Sequence, residues 1–201
     1  MSDTIDHDGL YRFAEAQAGY FTAQQALTTG MDRSTLRHHA RPGGRYERVR
    51  RGLYRLRHFP SSPHEHIVST WLSLHQTPAV VSHESALELY DLSDVIPSAV
   101  HISLPRINRG QRPRPGVRVH TLQHPPALSE IRSLDGVPVT TPERAIVDSL
   151  QAGTQPEQIE LAVHQALDRG LTTARRLRSA AAERPVRVRS LIERAIAGGD
   201  A

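Results

Sequence analysis

Arginine is concentrated in one short part of this sequence. Nine Arg and a single acid, Glu47, lie between Arg33 and His58, so this segment has a net charge of +8, whereas the whole 201-residue chain has +4. The guanidinium group is a planar fork of N–H donors that fits phosphate oxygens and the edge of guanine. A single basic block on a chain whose remainder is net acidic is typical of a surface that binds a polyanion.

The first half of the basic block has the pattern of a helix. Asp32 suits its N-cap. A rotation of about 100° per residue then places Leu36, His39 and Ala40 on one side, where they can pack on a core. The opposite side, with Arg33 at its edge, has the groups that bind phosphates and base edges. We predict that this face binds DNA through Arg33, Ser34, Arg37, His38 and Arg41.

A basic hairpin is predicted directly after this helix. Residues 42–44, Pro-Gly-Gly, end the helix, and residues 46–50 and 53–57 have the pattern of two short strands around Arg51-Gly52. Helix, turn, helix and hairpin in this order are typical of a winged helix-turn-helix, which lays a helix in the major groove of DNA. The hairpin, or wing, is expected to contact mainly phosphates. Its predicted contacts are Arg45, Arg48, Arg50 and Arg51.

A second Arg-rich segment lies between residues 105 and 118 and contains no acid. Two interpretations stay open, a second nucleic-acid contact and a solvated hairpin loop, because charge alone gives only non-specific affinity. The first interpretation involves Arg106, Arg109, Arg112 and Arg114.

The 12 His of the chain raise the question of a catalytic or metal site. His64-x-His66 and His83-Glu84 are the tightest groupings, and Asp148 is a further carboxylate. A metal-dependent nuclease or a nucleotidyltransferase-related enzyme using His83, Glu84 and Asp148 is therefore the alternative function. The sequence has no HExxH, GxSxG, GxxxxGK[ST] or GxGxxG motif, so we expect a protein that is not an enzyme, with no catalytic residue, metal site or cofactor.

The same residues have a structural interpretation, which we favour. His83 and Glu84 follow Ser82 at the start of a predicted helix, where a carboxylate interacts favourably with the helix dipole. Arg144 and Asp148 are four residues apart near the start of another helix and can pair along its face.

Two domains are predicted to position these groups. Residues 1–59 form the winged helix-turn-helix, in which Thr22 caps the helix before a tight turn at Gly30. Phe59–Pro63 has the composition of a linker, and residues 63–201 form the second domain.

The second domain is predicted to be α+β. Apolar residues alternate with polar ones at 100–104, which predicts a half-buried strand with His101 and Ser103 outward. Residues 117–121 alternate as well, and Asp135-Gly136 predicts a hairpin. The whole chain is thus expected to be α+β, with a winged helix first, then a small antiparallel or mixed sheet and a helical C-terminus.

Composition excludes several classes of protein. The chain has no Cys, which excludes disulfides, thiol catalysis and Cys-based zinc fingers. Its first residues are polar and acidic, so no signal peptide is expected. No apolar run approaches the ~20 residues of a membrane span. We therefore expect a soluble, cytoplasmic protein without membrane association.

Several segments resemble AbiEi-type antitoxins. The segments that resemble the N-terminal winged helix of that family are Gly19–Thr22, Arg33–Leu36 and Arg50–Leu56. The segments that resemble the domain after it are Ser82–Leu87 and Val137–Ala145, together with Asp148.

The resemblance implies a repressor that binds repeats in double-stranded DNA upstream of its own operon. It also implies an antitoxin of a type IV toxin-antitoxin system, which opposes a nucleotidyltransferase-like toxin of the AbiEii type without a stable complex. An orphan transcription factor, whose second domain binds a ligand or another protein, is the third interpretation.

Overall fold

The computed structural model describes residues 5–74, 78–108 and 115–198 of the chain. It contains two compact units. Unit 1 comprises Met1–Gln76 and Asp135–Val137, and unit 2 comprises Thr77–Leu134 and Pro138–Ala201. Unit 1 therefore extends beyond the linker-like residues 59–63. Among the described residues, no helix combines the length and the apolar character needed to cross a membrane.

Unit 1 has the element order of a winged helix-turn-helix. Its elements are α1 (His7–Glu15), β1 (Tyr20–Thr22), α2 (Ala23–Thr28), α3 (Arg33–His39), β2 (Tyr46–Arg50), β3 (Leu53–Leu56) and α4 (Glu65–Leu72). The three strands form an antiparallel sheet in the order β1-β3-β2. The helix-turn-helix is the pair α2 and α3, joined at Gly30, whose φ of +82° is a conformation that glycine adopts without strain.

Three aromatic rings hold the core of unit 1 together. Phe21 on β1 is fully buried and packs edge-on against Tyr46, with ring centroids 5.0 Å apart, and stacks on Tyr54 at 5.7 Å. Leu36 of α3 is part of the same cluster. Since each such side chain contributes about 1.5–3 kcal/mol when buried, this cluster holds α3 and the hairpin on one body.

Thr22 caps α2, as the sequence predicts, and Gln25 completes a capping box. The Oγ1 atom of Thr22 accepts from the backbone N–H of Gln25 at 3.1 Å, and the Gln25 side chain accepts from the Thr22 N–H at 2.8 Å. Two backbone donors that lack partners within the helix are thereby satisfied.

Replacing Thr22 by Val should lower the free energy of unfolding by about 1 kcal/mol, because the side-chain shape is kept while the capping oxygen is lost. Urea unfolding followed by circular dichroism measures this change. Thr28→Val is the control, since Thr28 is exposed at the other end of the same helix. Equal destabilisation by both substitutions would contradict a specific role for the cap.

Unit 2 is built on a mixed sheet. Its elements are β4 (Val80–Val81), α5 (His83–Tyr90), β5 (Val100–Pro105), β6 (Val117–Leu122), β7 (Ile131–Leu134), β8 (Val137–Thr140), α6 (Pro142–Ala152), α7 (Pro156–Asp168), α8 (Ala174–Ala181) and α9 (Val186–Gly198). In the described part of the chain this sheet has five strands, in the order β6-β5-β4-β8-β7. β5 is parallel to β6 and antiparallel to β4, whereas β4 is parallel to β8. The predicted fold class is confirmed.

Strand β5 differs from the prediction that it is half-buried. His101 and Ser103, expected to face solvent, are 2% and 1% exposed. Both side chains meet the start of α5. The Nε2 atom of His101 lies 3.8 Å from a carboxylate oxygen of Glu84, and the Ser103 hydroxyl donates to Ser82 Oγ at 2.7 Å. The alternation of polar and apolar residues in β5 therefore separates two buried faces, one apolar and one polar.

Candidate nucleic-acid interface

Helix α3 has one buried and one exposed side, as its sequence pattern predicts. Leu36 is 2% exposed, and Ala40, just after the helix, packs on the core cluster. The half-buried His39 ring lies 5.6 Å from the Tyr46 ring, centroid to centroid. The five residues predicted to contact DNA are all exposed: Arg33, Ser34, Arg37, His38 and Arg41.

Local hydrogen bonds order this exposed face. Asp32 caps α3 by accepting from the Thr35 backbone N–H at 2.7 Å, and the Ser34 hydroxyl also donates to Asp32 at 2.7 Å. These bonds, first that from the Thr35 backbone and then that from Ser34, lower the pKa of Asp32 to about 2. Since the Ser34 proton is already donated to Asp32, a bond from Ser34 to phosphate would have to replace this contact. Arg37 Nε donates to the Arg33 carbonyl at 3.2 Å, which holds its guanidinium against the helix surface.

The wing presents its predicted Arg residues to solvent. Arg45, Arg48, Arg50 and Arg51 are all exposed. The register shifts by one residue between Arg48, which lies opposite Tyr54, and Arg50, which lies opposite Leu53. Such a bulge bends a strand and increases its twist. The turn is closed by Gly52, whose φ is +78°.

A cleft of about 710 Å³ lies between α3 and the wing. Four of the predicted contacts line it, two from the helix and two from the wing: Arg33, Arg37, Arg48 and Arg51. Leu27, Leu36 and Tyr54 form its apolar floor. Arg45 lies instead at a second hollow, beside His7 and His58. The structure therefore combines helix and wing into one concave surface of positive charge.

Two Arg of the basic block form hydrogen bonds within unit 1 and do not belong to the exposed basic surface. Arg55 Nη2 donates to Glu65 Oε2 at 3.2 Å and to the Phe59 carbonyl at 3.0 Å. Arg57 Nε donates to the Gly44 carbonyl at 2.7 Å. Both are partly buried, so the exposed Arg of the block are the seven that the sequence assigned to the helix face and the wing.

The second basic segment is only partly described. Arg106 is exposed in a short 3-10 turn, Arg106–Asn108, directly after β5. Arg109, Arg112 and Arg114 lie outside the described residues.

The residues of the alternative enzyme are engaged with other side chains in unit 2. Both carboxylate oxygens of Asp148 accept from arginines, one from Arg144 Nε at 2.8 Å and the other from Arg184 Nη2 at 2.7 Å. The predicted pairing of Arg144 and Asp148 is thus confirmed. Glu84 accepts from the Thr154 hydroxyl at 2.6 Å.

A group that the sequence analysis missed is formed by His83, His101 and His120, whose ring nitrogens come within 4.8 Å of one another. They stand on α5, β5 and β6, some 20 residues apart, so that no local motif marks them.

Residues 10–57 match the family model described as transcriptional regulator, AbiEi antitoxin. This match is confined to the N-terminal module. It confirms the resemblance of the N-terminal segments, whereas the segments of the second domain lie outside it. The matched residues, which we call the AbiEi-type module, run from within α1 to just past β3 and contain all nine predicted DNA contacts. No curated protein matches the chain.

The fold as a whole has a counterpart among solved structures. The crystal structure of the RV2827C protein from Mycobacterium tuberculosis matches with a TM-score of 0.52 and 17% sequence identity. The match covers 96% of this chain and 76% of that one. At this identity the likeness concerns the fold alone, and it includes unit 2 as well as the AbiEi-type module.

Proposed function

We propose that this chain is a DNA-binding repressor that regulates its own operon and acts as the antitoxin of a type IV system. The observation that carries the proposal is the cleft between α3 and the wing, where four Arg of an AbiEi-type module face one concave space. A cleft lined with one sign of charge concentrates its field and attracts a polyanion. Residues 1–59 are the proposed DNA-binding domain.

The two sides of the cleft have different proposed roles. Arg33 and Arg37 are on a helix whose apolar side is anchored in the core, so that this helix can enter the major groove and read base edges. Arg48, Arg50 and Arg51 are on a hairpin beside it and are placed to contact phosphates, which position a protein without reading sequence.

The second domain has a non-enzymatic role in this proposal. A nuclease or nucleotidyltransferase needs clustered carboxylates that are free to hold Mg²⁺. Asp148 has both oxygens bound by arginine and Glu84 has one bound by Thr154, which supports a structural role for these acids. We infer that the domain opposes an AbiEii-like nucleotidyltransferase toxin without forming a stable complex with it.

The antitoxin role can be tested separately from DNA binding. Cells that express the toxin-like product of the adjacent reading frame should grow when the full chain is co-expressed. Affinity purification of the same cells should recover no complex of the two proteins. Failure of rescue by a chain that still represses its promoter would favour the orphan transcription factor.

Arg37→Ala and Arg50→Ala should weaken DNA binding in different ways. Loss of a bidentate base contact by Arg37→Ala should remove about 1–3 kcal/mol of discrimination between the upstream duplex and a scrambled duplex. Arg50→Ala should lower affinity for both duplexes alike and reduce the salt slope by about 1. Fluorescence anisotropy with each protein on each duplex measures both effects.

The control is Arg12→Ala, an exposed arginine of α1 outside the basic block. It should bind both duplexes like the wild type. An equal loss on both duplexes for Arg37→Ala would contradict the base-reading role. Absence of wild-type binding to the upstream duplex would overturn the proposed function itself.

A further inference from the structure

Three histidines converge inside unit 2. His83 begins α5, while His101 and His120 stand on the parallel strands β5 and β6. The register pairs His101 with Arg118 and Ser103 with His120, so the two histidines are diagonal neighbours on one face of the sheet. His83 and His101 are buried, and His120 is partly exposed.

One pair of ring nitrogens already has the spacing of metal ligands, and the third ring lies beside them. His120 Nε2 and His101 Nδ1 are 3.3 Å apart. A tetrahedral zinc ion with Zn–N bonds of about 2.0–2.1 Å sets its ligand nitrogens about 3.3–3.4 Å from each other. The His83 ring stacks on that of His120, with centroids 3.5 Å apart, and all three ligand nitrogens lie within 4.8 Å. To complete three corners of the tetrahedron, the His83 nitrogen has to approach by no more than about 1.5 Å. Its ring also has to rotate, because it is tilted by only 14° from the His120 ring and the lone pairs lie in the ring planes.

The outer nitrogens of two of these rings face oxygen partners. His83 Nδ1 is 2.9 Å from Ser82 Oγ. His101 Nε2 is 3.8 Å from Glu84 Oε2, and the other oxygen of Glu84 is held by Thr154. Metal-binding histidines usually direct their second nitrogen to a carboxylate or another oxygen, which fixes the ring and its tautomer. This leaves His101 Nδ1 on the inner side, where it lies 3.3 Å from His120 Nε2.

Burial and nearby positive charge disfavour protonation of these rings. Burial, followed by the neighbouring His120 and His101 rings, lowers the pKa of His83 to about 2. Burial, followed by the neighbouring His101 ring and then Arg118, lowers the pKa of His120 to about 4. The positive charge of Arg118 also lowers the pKa of all three rings.

The backbone at the cluster is also unusual. His83 has a φ of +53°, a left-handed conformation that non-glycine residues seldom adopt. Such conformations persist where surrounding contacts impose them, and they are concentrated at ligand-binding sites. In this protein the left-handed residue is His83 itself, which contributes the third imidazole ring.

We propose that His83, His101 and His120 form a binding site for a zinc-class divalent cation. The donors are three imidazole nitrogens, a set that suits Zn²⁺, Co²⁺ and Ni²⁺ and not the oxygen-seeking Mg²⁺ or Ca²⁺. Glu84 is a positioning residue, which orients His101 from the side opposite the metal. Three protein ligands leave a fourth position open to an exogenous ligand.

Metal content of the full-length, tag-free protein tests the site. The protein is stripped with EDTA, dialysed against Zn²⁺, freed of excess metal and measured by mass spectrometry. The wild type should retain about one zinc per chain, and His120→Gln less than about a tenth of that. His124→Gln, which removes an exposed histidine just after β6, should retain zinc like the wild type. Co²⁺-loaded wild type should show the strong visible absorption of tetrahedral cobalt, and His120→Gln should not.

Further measurements distinguish a loss of zinc binding from a loss of folding. His120 is on an edge strand and partly exposed, so His120→Gln should keep the far-ultraviolet circular dichroism of the wild type. Glu84→Gln should weaken zinc affinity about 10- to 100-fold through the orientation of His101. A wild type that retains no zinc, or a folded His120→Gln that retains as much as the wild type, overturns the proposal. Neither result bears on DNA binding by the AbiEi-type module.

Discussion

Raising the salt concentration from about 50 to about 200 mM should lower the affinity of this chain for its upstream duplex roughly 150-fold. The basic block exposes seven arginines, and four of them line the cleft between α3 and the wing. Each phosphate that a cation neutralises releases condensed counterions, so four such contacts give a slope of about −3.6 for log affinity against log salt. Any four of the seven exposed arginines can supply these four phosphate contacts.

Anisotropy titrations at several salt concentrations measure this slope directly. Arg51→Ala removes one cation from the wing side of the cleft and should reduce the slope by about 1 on any duplex. The Arg12→Ala control should leave it unchanged. A slope near zero for the wild type would mean that the exposed arginines do not meet the DNA backbone.

Replacing Asp148 by Ala should destabilise unit 2 by about 3–5 kcal/mol, because it leaves two largely buried guanidinium groups without their anion. The Asp148 side chain is 4% exposed, and those of Arg144 and Arg184 are 11% and 21% exposed. Glu130 also contacts Arg144, at 2.9 Å, and partly compensates that charge. Within the described part of the chain, Asp148 is the carboxylate that pairs with Arg184, so the substitution leaves this guanidinium group without an anion.

Urea unfolding of the full chain, followed by circular dichroism, measures the loss of stability. Asp168→Ala, at the exposed end of α7, is the matched control and should change the free energy of unfolding by less than about 0.5 kcal/mol. If Asp148→Ala were as stable as the control, the carboxylate would not be structural. A role in the function of the second domain would then explain its position.

The exposed basic face of α3, where we propose that DNA binds, was predictable because its determinants are local. Asp32 caps α3, and a rotation of about 100° per residue separates Leu36 from Arg37 whatever the rest of the chain does. The hairpin strands were predictable for the same reason, since residues 46–50 and 53–57 flank a Gly that closes the turn. The only difference is one residue at the end of β3, which the structure ends at Leu56.

Features that depend on distant partners were not predictable. β1 is only three residues long, and Phe21 forms a strand there because β3 supplies its hydrogen-bonding partner. The inward direction of Arg55 follows from the position of Glu65 on α4. The histidine cluster requires β5 and β6 to pair in parallel, which the alternation within each strand does not specify. His101 was therefore expected at the surface, although it is buried beside Glu84.

The short strand β1 also affects the order of the proposed DNA-binding surface in the free protein. Tyr20–Thr22 pairs with β3 at the root of the wing, and Thr22 also caps α2, so the wing and the helix-turn-helix share one piece of backbone. A hairpin whose base is fixed by a neighbouring strand samples few conformations in the free protein. Little conformational entropy is then lost on binding, and the ordering of mobile segments is a main entropic cost of association. The surface is therefore pre-organised for DNA. Loosening β1 would weaken binding without removing a single contact to the duplex.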